Sequence, residues 1–139
     1  MEDVIELNPE ELKIIEPILK SLSTRAKQSL SLPTLINKWN TFVISVERGY
    51  SDSIYDYTNE LSVRDLLQTL IDASPKEIHK KIKGAVIPLD VRFKSASKQI
   101  SKCIFDFKSE EGNINWWWYR IPNRMSDELR NDFRSQEIL

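Results

Sequence analysis

Glycine is scarce in this chain: 139 residues contain only Gly49, Gly84 and Gly112, far apart from one another. All-β folds need many tight turns and usually spend more glycine on them. Loops that cradle phosphate need glycines clustered, so nucleotide-binding motifs are excluded by the same shortage. Cysteine occurs once, at Cys103, which rules out an internal disulfide and fits a reducing compartment. No run approaches the eighteen or so apolar residues that a membrane-spanning helix requires. The first residues, Met1 to Val4, are acidic and lack the layout of a secretion signal. A soluble cytoplasmic protein is therefore expected. With 40% apolar residues, a chain of this length can bury its own core as one domain over 1–139.

Histidine also occurs once, at His79. A nucleophilic Cys103–His79 pair needs both groups to converge with a third orienting the ring, and neither lies in a recognisable local motif. His79 reads as a surface residue of its helix, and Cys103 as a small buried hydrophobe. One cysteine and one histidine cannot make a zinc site without carboxylates. A di-iron bundle needs two Glu-x-x-His motifs, and Lys76 stands where the one available glutamate would be. No serine occupies a Gly-x-Ser-x-Gly elbow. The sequence assigns no catalytic, cofactor or metal-binding residue and leans away from an enzyme. Asp52, Asp56 and Glu60, with Arg64, would form one row on a continuous helix. That row reads as a solvated face, with an acidic docking face or weak cation site as the alternative.

What the sequence does contain is helical periodicity. Asn8-Pro9-Glu10-Glu11 combines cap, N-terminal proline and capping-box glutamate, and Leu12, Ile15, Leu19 and Leu22 follow at helical spacing. Pro17 is expected to kink or split that helix. Pro33 opens a second helix whose stripe of Leu35, Ile36, Trp39, Phe42, Val43 and Val46 ends at Gly49. Residues 53–73 are helical again, with Ser62 and Asp65 as a capping box that would divide the run. Ser74-Pro75-Lys76-Glu77 reads as the clearest helix start, and Pro88 as an end or bend. Ser126 caps a last short helix carrying Leu129 and Phe133. Segment 100–107 fits either a helix or a strand, and a hairpin joining 102–108 to 114–121 is one reading. The expected fold is mainly α, with five or six helices around Leu35, Trp39, Phe42, Val43, Leu67, Leu70 and Ile82.

The net charge of -1 conceals a division. Residues 1–75 hold 7 Lys/Arg against 12 Asp/Glu, residues 76–108 hold 9 against 3, and residues 109–139 hold 4 against 6. The basic block contains Lys76, Lys80, Lys81, Lys83, Lys94, Lys98 and Lys102, beside Arg92. It is read first as a solvated face, and otherwise as a patch for an acidic protein or a nucleic acid. Lysine suits a hydrated surface better than bidentate phosphate recognition.

The most unusual stretch is Trp116-Trp117-Trp118-Tyr119-Arg120. Three consecutive large rings cannot share one face in any regular structure. Pro122 pushes Ile121 toward extended backbone, so an extended run is expected, with Trp117 and Tyr119 facing opposite to Trp116 and Trp118. Either the run plugs the core from two sides, or Trp116, Trp117, Trp118, Tyr119, Arg120 and Arg124 form a recognition surface. Trp, Tyr and Arg are the residues enriched at binding hot spots. No motif is specific enough to name a family. The leading expectation is a non-enzymatic interaction protein of the inhibitor, immunity-like or adaptor kind, binding a protein partner through this aromatic–arginine surface. The alternatives are a nucleic-acid-associated regulator using 76–102, and a small-ligand protein or enzyme with a pocket near Asp90, Arg92, Tyr119 and Arg120.

Overall fold

The computed structural model of the chain describes residues 7–104 and 115–139. The described residues form five helices, α1 (Pro9–Ala26), α2 (Leu32–Arg48), α3 (Ile54–Ala73), α4 (Lys76–Ser95) and α5 (Asp127–Ser135), with two three-residue strands, β1 (Ser97–Gln99) and β2 (Arg120–Pro122). A 3-10 turn over Trp116–Tyr119 leads directly into β2. The fold is mainly α, as the periodicity predicts, and the seven expected core residues are all fully buried.

Local signals explain most helix starts. Asn8 and Glu11 make the reciprocal capping box of α1, Ser31 caps α2, and Ser126 caps α5. At α3 the cap is Ser53 with Asp56, so Asp52 lies before the helix and only Asp56, Glu60 and Arg64 of the expected row share it, with Arg64 buried. Gly49 terminates α2 at φ +107°, a conformation that L side chains rarely adopt. Gly49 N–H and the following Tyr50 then turn the chain toward the C-terminal segment, where Tyr50 exchanges backbone bonds with Arg124 O (3.0 Å) and Ser126 N–H (2.9 Å).

Of the expected breaks, the split at Pro17, the end at Pro88 and the division at Ser62 do not occur, and the cap expected at Ser74 falls at Pro75. Pro17 and Pro88 lie inside α1 and α4 without ending them. Both prolines are exposed, so the carbonyl that each leaves without an N–H partner faces water rather than the core. Ser62 and Asp65 do not divide α3, and Asp65 is spent elsewhere. Ser74 does not cap α4: its hydroxyl donates backwards to Leu70 O at 2.6 Å and closes α3. Pro75 is the residue at the α4 cap, with no side-chain bond.

The short antiparallel β-pairing is present as expected, with its strands shifted from 102–108 and 114–121. β2 pairs antiparallel with β1, in the register Ser97↔Pro122, Lys98↔Ile121 and Gln99↔Arg120. Backbone bonds continue the contact through Ile100 N–H to Tyr119 O and Ile104 N–H to Trp118 O, both 2.8 Å. The strand partner is thus the segment immediately after α4. Residues 105–114, on which the rest of the hairpin expectation falls, lie outside the described residues.

Through the middle of the fold runs a continuous series of ring contacts. Phe133 of α5 meets Tyr57 (5.7 Å between centroids), Tyr57 meets Phe42 (5.5 Å), Phe42 meets Phe93 (5.7 Å), and Phe93 meets Trp116 (6.0 Å). Such tilted and edge contacts add to the burial of each ring. They place the Trp116–Tyr119 turn at the end of the aromatic core.

Candidate interaction surface

The aromatic run is helical in form and not extended, which changes which rings lie inside. Trp117 and Trp118 are buried, at 1% and 3% exposure, while Trp116 and Tyr119 are half-buried. The expected alternation of two pairs is therefore wrong. Steps of about 120° per residue in a 3-10 turn let two consecutive rings enter the core when a polar group inside accepts their N–H donors. That group is Asp65. Its Oδ1 accepts from Trp117 Nε1 (2.9 Å), Trp118 Nε1 (3.0 Å) and Asn115 Nδ2 (3.1 Å), and its Oδ2 lies 3.1 Å from Trp118 Nε1.

The neighbouring residue on α3 secures the same segment from the other side. The Arg64 guanidinium sits 4.3 Å from the Trp117 ring centroid and forms a fork with Asp90, Nε to Oδ1 at 2.9 Å and Nη2 to Oδ2 at 2.8 Å. Asp90 Oδ1 also accepts from Trp39 Nε1 at 3.0 Å, and Arg64 Nη1 donates to Gln68 Oε1 at 3.1 Å. Both charged residues are buried, at 5% and 8% exposure. A bidentate pair with its remaining donors satisfied is the arrangement in which buried charge is tolerated. One network thus joins α2, α3, α4 and the tryptophan turn.

Of the residues expected to form an aromatic–arginine surface, the fold divides the set. Trp117 and Trp118 face inward and offer a partner no surface in this arrangement. Arg120 is turned onto its own chain, donating Nε to Ser97 Oγ (2.8 Å) and Nη2 to Ser97 O (2.9 Å) and Lys94 O (3.0 Å). Burial lowers the Arg120 pKa from its usual value. Trp116, Tyr119 and the exposed Arg124 remain at the surface.

All seven lysines of the basic block are exposed. Lys81 pairs with Glu11 at 2.8 Å, and Lys102 donates to Gln136 O at 2.9 Å. Lys94 Nζ rests 4.4 Å from the Trp116 ring centroid, which connects the basic block to the aromatic turn. Lys76, Lys80, Lys83 and Lys98 have no ion-pair partner among the described residues.

α4 buries Ile78, Ile82, Val86, Asp90 and Phe93 against the bundle. On its opposite face Ile87 and Val91 are exposed, at 48% and 56%. At about 100° per residue, Lys76, Lys80, Lys83, Ile87, Val91 and Lys94 fall within one arc of roughly 80°. The outer face is therefore a short apolar centre between three lysines on one side and Lys94 on the other, ending at Trp116. Sequence reasoning missed this centre. The signal was available: Ile87 and Val91 stand four residues apart, on the wrong side of the helix to join Ile78, Ile82 and Val86.

The residues considered for chemistry are separated. Asp90 and Arg92 leave α4 about 160° apart, and each has its own partner, Asp90 the Arg64 fork and Arg92 a fork to Glu47 at 3.0 and 2.6 Å. Arg92 holds the Glu47 carboxyl below its usual range through those hydrogen bonds. The pocket expected near Asp90, Arg92, Tyr119 and Arg120 thus loses Asp90 and Arg92 to opposite sides of one helix. His79 is half-buried, with Nδ1 2.8 Å from Ile71 O, and Cys103 packs half-buried against the core. Glu60 pairs with the Tyr50 hydroxyl and not with Arg64. Burial raises the Glu60 pKa, nearby Asp52 and Asp56 add to that, and the Tyr50 hydrogen bond opposes it. No group of three metal-ligating side chains occurs among the described residues, and no described helix is long and apolar enough to cross a membrane. Two surface clefts, of about 350 Å³ between α2 and α3 and about 690 Å³ beside α1, contain no residue of the aromatic run or the basic block, and only Glu60 of the acidic row lines the first. Comparison with family models, curated proteins and solved structures finds no match to this chain.

Proposed function

We propose that this chain is a binding protein that docks an acidic surface of another protein onto the outer face of α4, with Trp116 at its edge. The observation that carries the reading is the pairing of an exposed apolar centre, Ile87 and Val91, with Lys76, Lys80 and Lys83 before it and Lys94 after it. Apolar area at the centre of a contact supplies affinity, and surrounding charge supplies orientation and partner choice. Removing the exposed half of each of these two side chains from water is worth about 1 kcal/mol apiece. Trp116, with Lys94 on its face and no acceptor for its indole N–H among the described residues, adds an aromatic contact of the kind that dominates interfaces.

A nucleic acid is the second reading, favoured by Lys76, Lys80, Lys83 and Lys98, which have no ion-pair partner among the described residues. It weighs less because phosphate recognition makes little use of an apolar centre. Affinity capture with the unmodified chain, Val91→Glu and Trp116→Ala, with and without nuclease, separates the two. The protein reading expects nuclease-resistant partners that both variants lose. Equal capture by folded variants contradicts it, and nuclease-sensitive capture that weakens steeply with salt supports the nucleic-acid reading.

A further inference from the structure

The charge division has a second half, and it lies on a different face. Tyr55, in the first turn of α3, is the most exposed large hydrophobic side chain among the described residues, at 79%. Asp52 and Asp56 flank it in sequence and are both exposed, and Asn59 follows one turn later. Their negative field extends inward, since Asp52 and Asp56 both raise the pKa values of Glu60 and of the Tyr50 hydroxyl. Among the described residues Asp52 makes no ion pair, just as Lys80 and Lys83 make none.

We infer that the Tyr55 face of one copy docks on the Ile87–Val91 face of a second copy. The inference rests on the proposed role of α4 and names an acidic protein surface that fits it. Each side supplies what the other lacks: a protruding aromatic ring with carboxylates beside it, and an aliphatic centre with lysines beside it. A tyrosine ring is well suited to such a seat, being apolar in its body and polar at its tip. Because the two faces are different patches, the contact is heterologous, and each docked copy still presents one free face of each kind. Association is then a concentration-dependent series and not a closed pair. Facing charges make it sensitive to salt, since the Debye length shrinks from about 30 Å at 0.01 M to about 3 Å at 1 M.

Sedimentation velocity on the full chain at rising concentration and low salt tests this. The expected result is a weight-average mass that climbs with concentration and returns toward the monomer at about 1 M salt. Tyr55→Ala and Val91→Glu should each abolish the climb. Asp52→Lys/Asn59→Lys spares Asp56, whose carboxylate helps cap α3, and should leave a monomer. Lys83→Glu/Lys94→Glu should also be monomeric, and a mixture of the two charge-reversed proteins should associate again. Monomer at every concentration, or association indifferent to these substitutions, overturns the inference. In parallel, poly-L-glutamate is titrated into labelled protein while the Val91 and Lys94 amide resonances are followed. Shifts there without self-association leave the α4 reading standing and remove this one; no shift and no association remove both.

Discussion

Asp65→Ala is the substitution that asks most of the structure. The Asp65 carboxylate accepts both buried indole N–H groups, from Trp117 at 2.9 Å and Trp118 at 3.0 Å, and the Asn115 amide at 3.1 Å. Hydrogen bonds to a charged group contribute about 1.5–3 kcal/mol each when the donor is shut away from water. Asn115 is half-buried and rehydrates at little cost. The two tryptophans therefore set the loss, at about 3–6 kcal/mol, a large share of the total stability of a chain this size. Asp65→Asn is the control. An amide oxygen in the Oδ1 position keeps three of the four contacts and loses the charge, while its NH₂ meets Trp118 Nε1 donor to donor. That cost is about 2 kcal/mol. Urea denaturation with tryptophan fluorescence measures both, and Asp65→Ala should also shift native emission to the red as the turn loosens. A loss under about 1 kcal/mol with unchanged emission would show that Asp65 does not hold the aromatic run.

Other outcomes follow from the same network. Asp90→Ala leaves the buried Arg64 guanidinium without its fork partner and removes the acceptor of Trp39 Nε1, so a loss of about 3–5 kcal/mol is expected from denaturant midpoints. Arg64→Met with Asp90→Leu removes both charges together and should cost distinctly less than Asp90→Ala alone, which a double-mutant cycle reads directly. Glu60 has a folded-state pKa above its ordinary value, so its contribution to stability is present at low pH and is lost as pH rises through that raised value. Glu60→Gln should therefore raise the melting temperature near neutral pH and flatten this component of the pH profile; an unchanged profile contradicts the assignment. Val91→Glu changes an exposed helical position and should move stability by no more than about 0.5 kcal/mol, which keeps it usable as a binding variant.

Much of the fold was legible because its signals are local. Asn8 with Glu11, and Ser126 with Leu129 and Phe133, announce helices through short-range capping and periodicity alone. Prolines misled because their effect depends on which side of the helix they occupy. Pro17 and Pro88 both face water, where the missing backbone bond is tolerated. Ser74 and Asp65 misled for a related reason: both match a capping pattern, yet each has a different acceptor or donor within reach, Leu70 O for one and the tryptophan turn for the other. Asp65 and Trp117 lie 52 positions apart, and no local pattern connects them. The candidate surface was half visible. The lysines stood out as a charge block, whereas the Ile87–Val91 pair, set off by its spacing from the Ile78, Ile82 and Val86 stripe, was legible and was missed.

The central claim is that the tryptophan run is divided, with Trp117 and Trp118 bonded inside and Trp116 left at the edge of the α4 face. Hydrogen exchange at the four indole N–H groups, read from nitrogen-resolved proton spectra with single Trp→Phe variants for assignment, measures this most directly. The predicted result is slow exchange at Trp39, Trp117 and Trp118 and fast exchange at Trp116. Fast exchange at Trp117 or Trp118, or protection of all four alike, would contradict it.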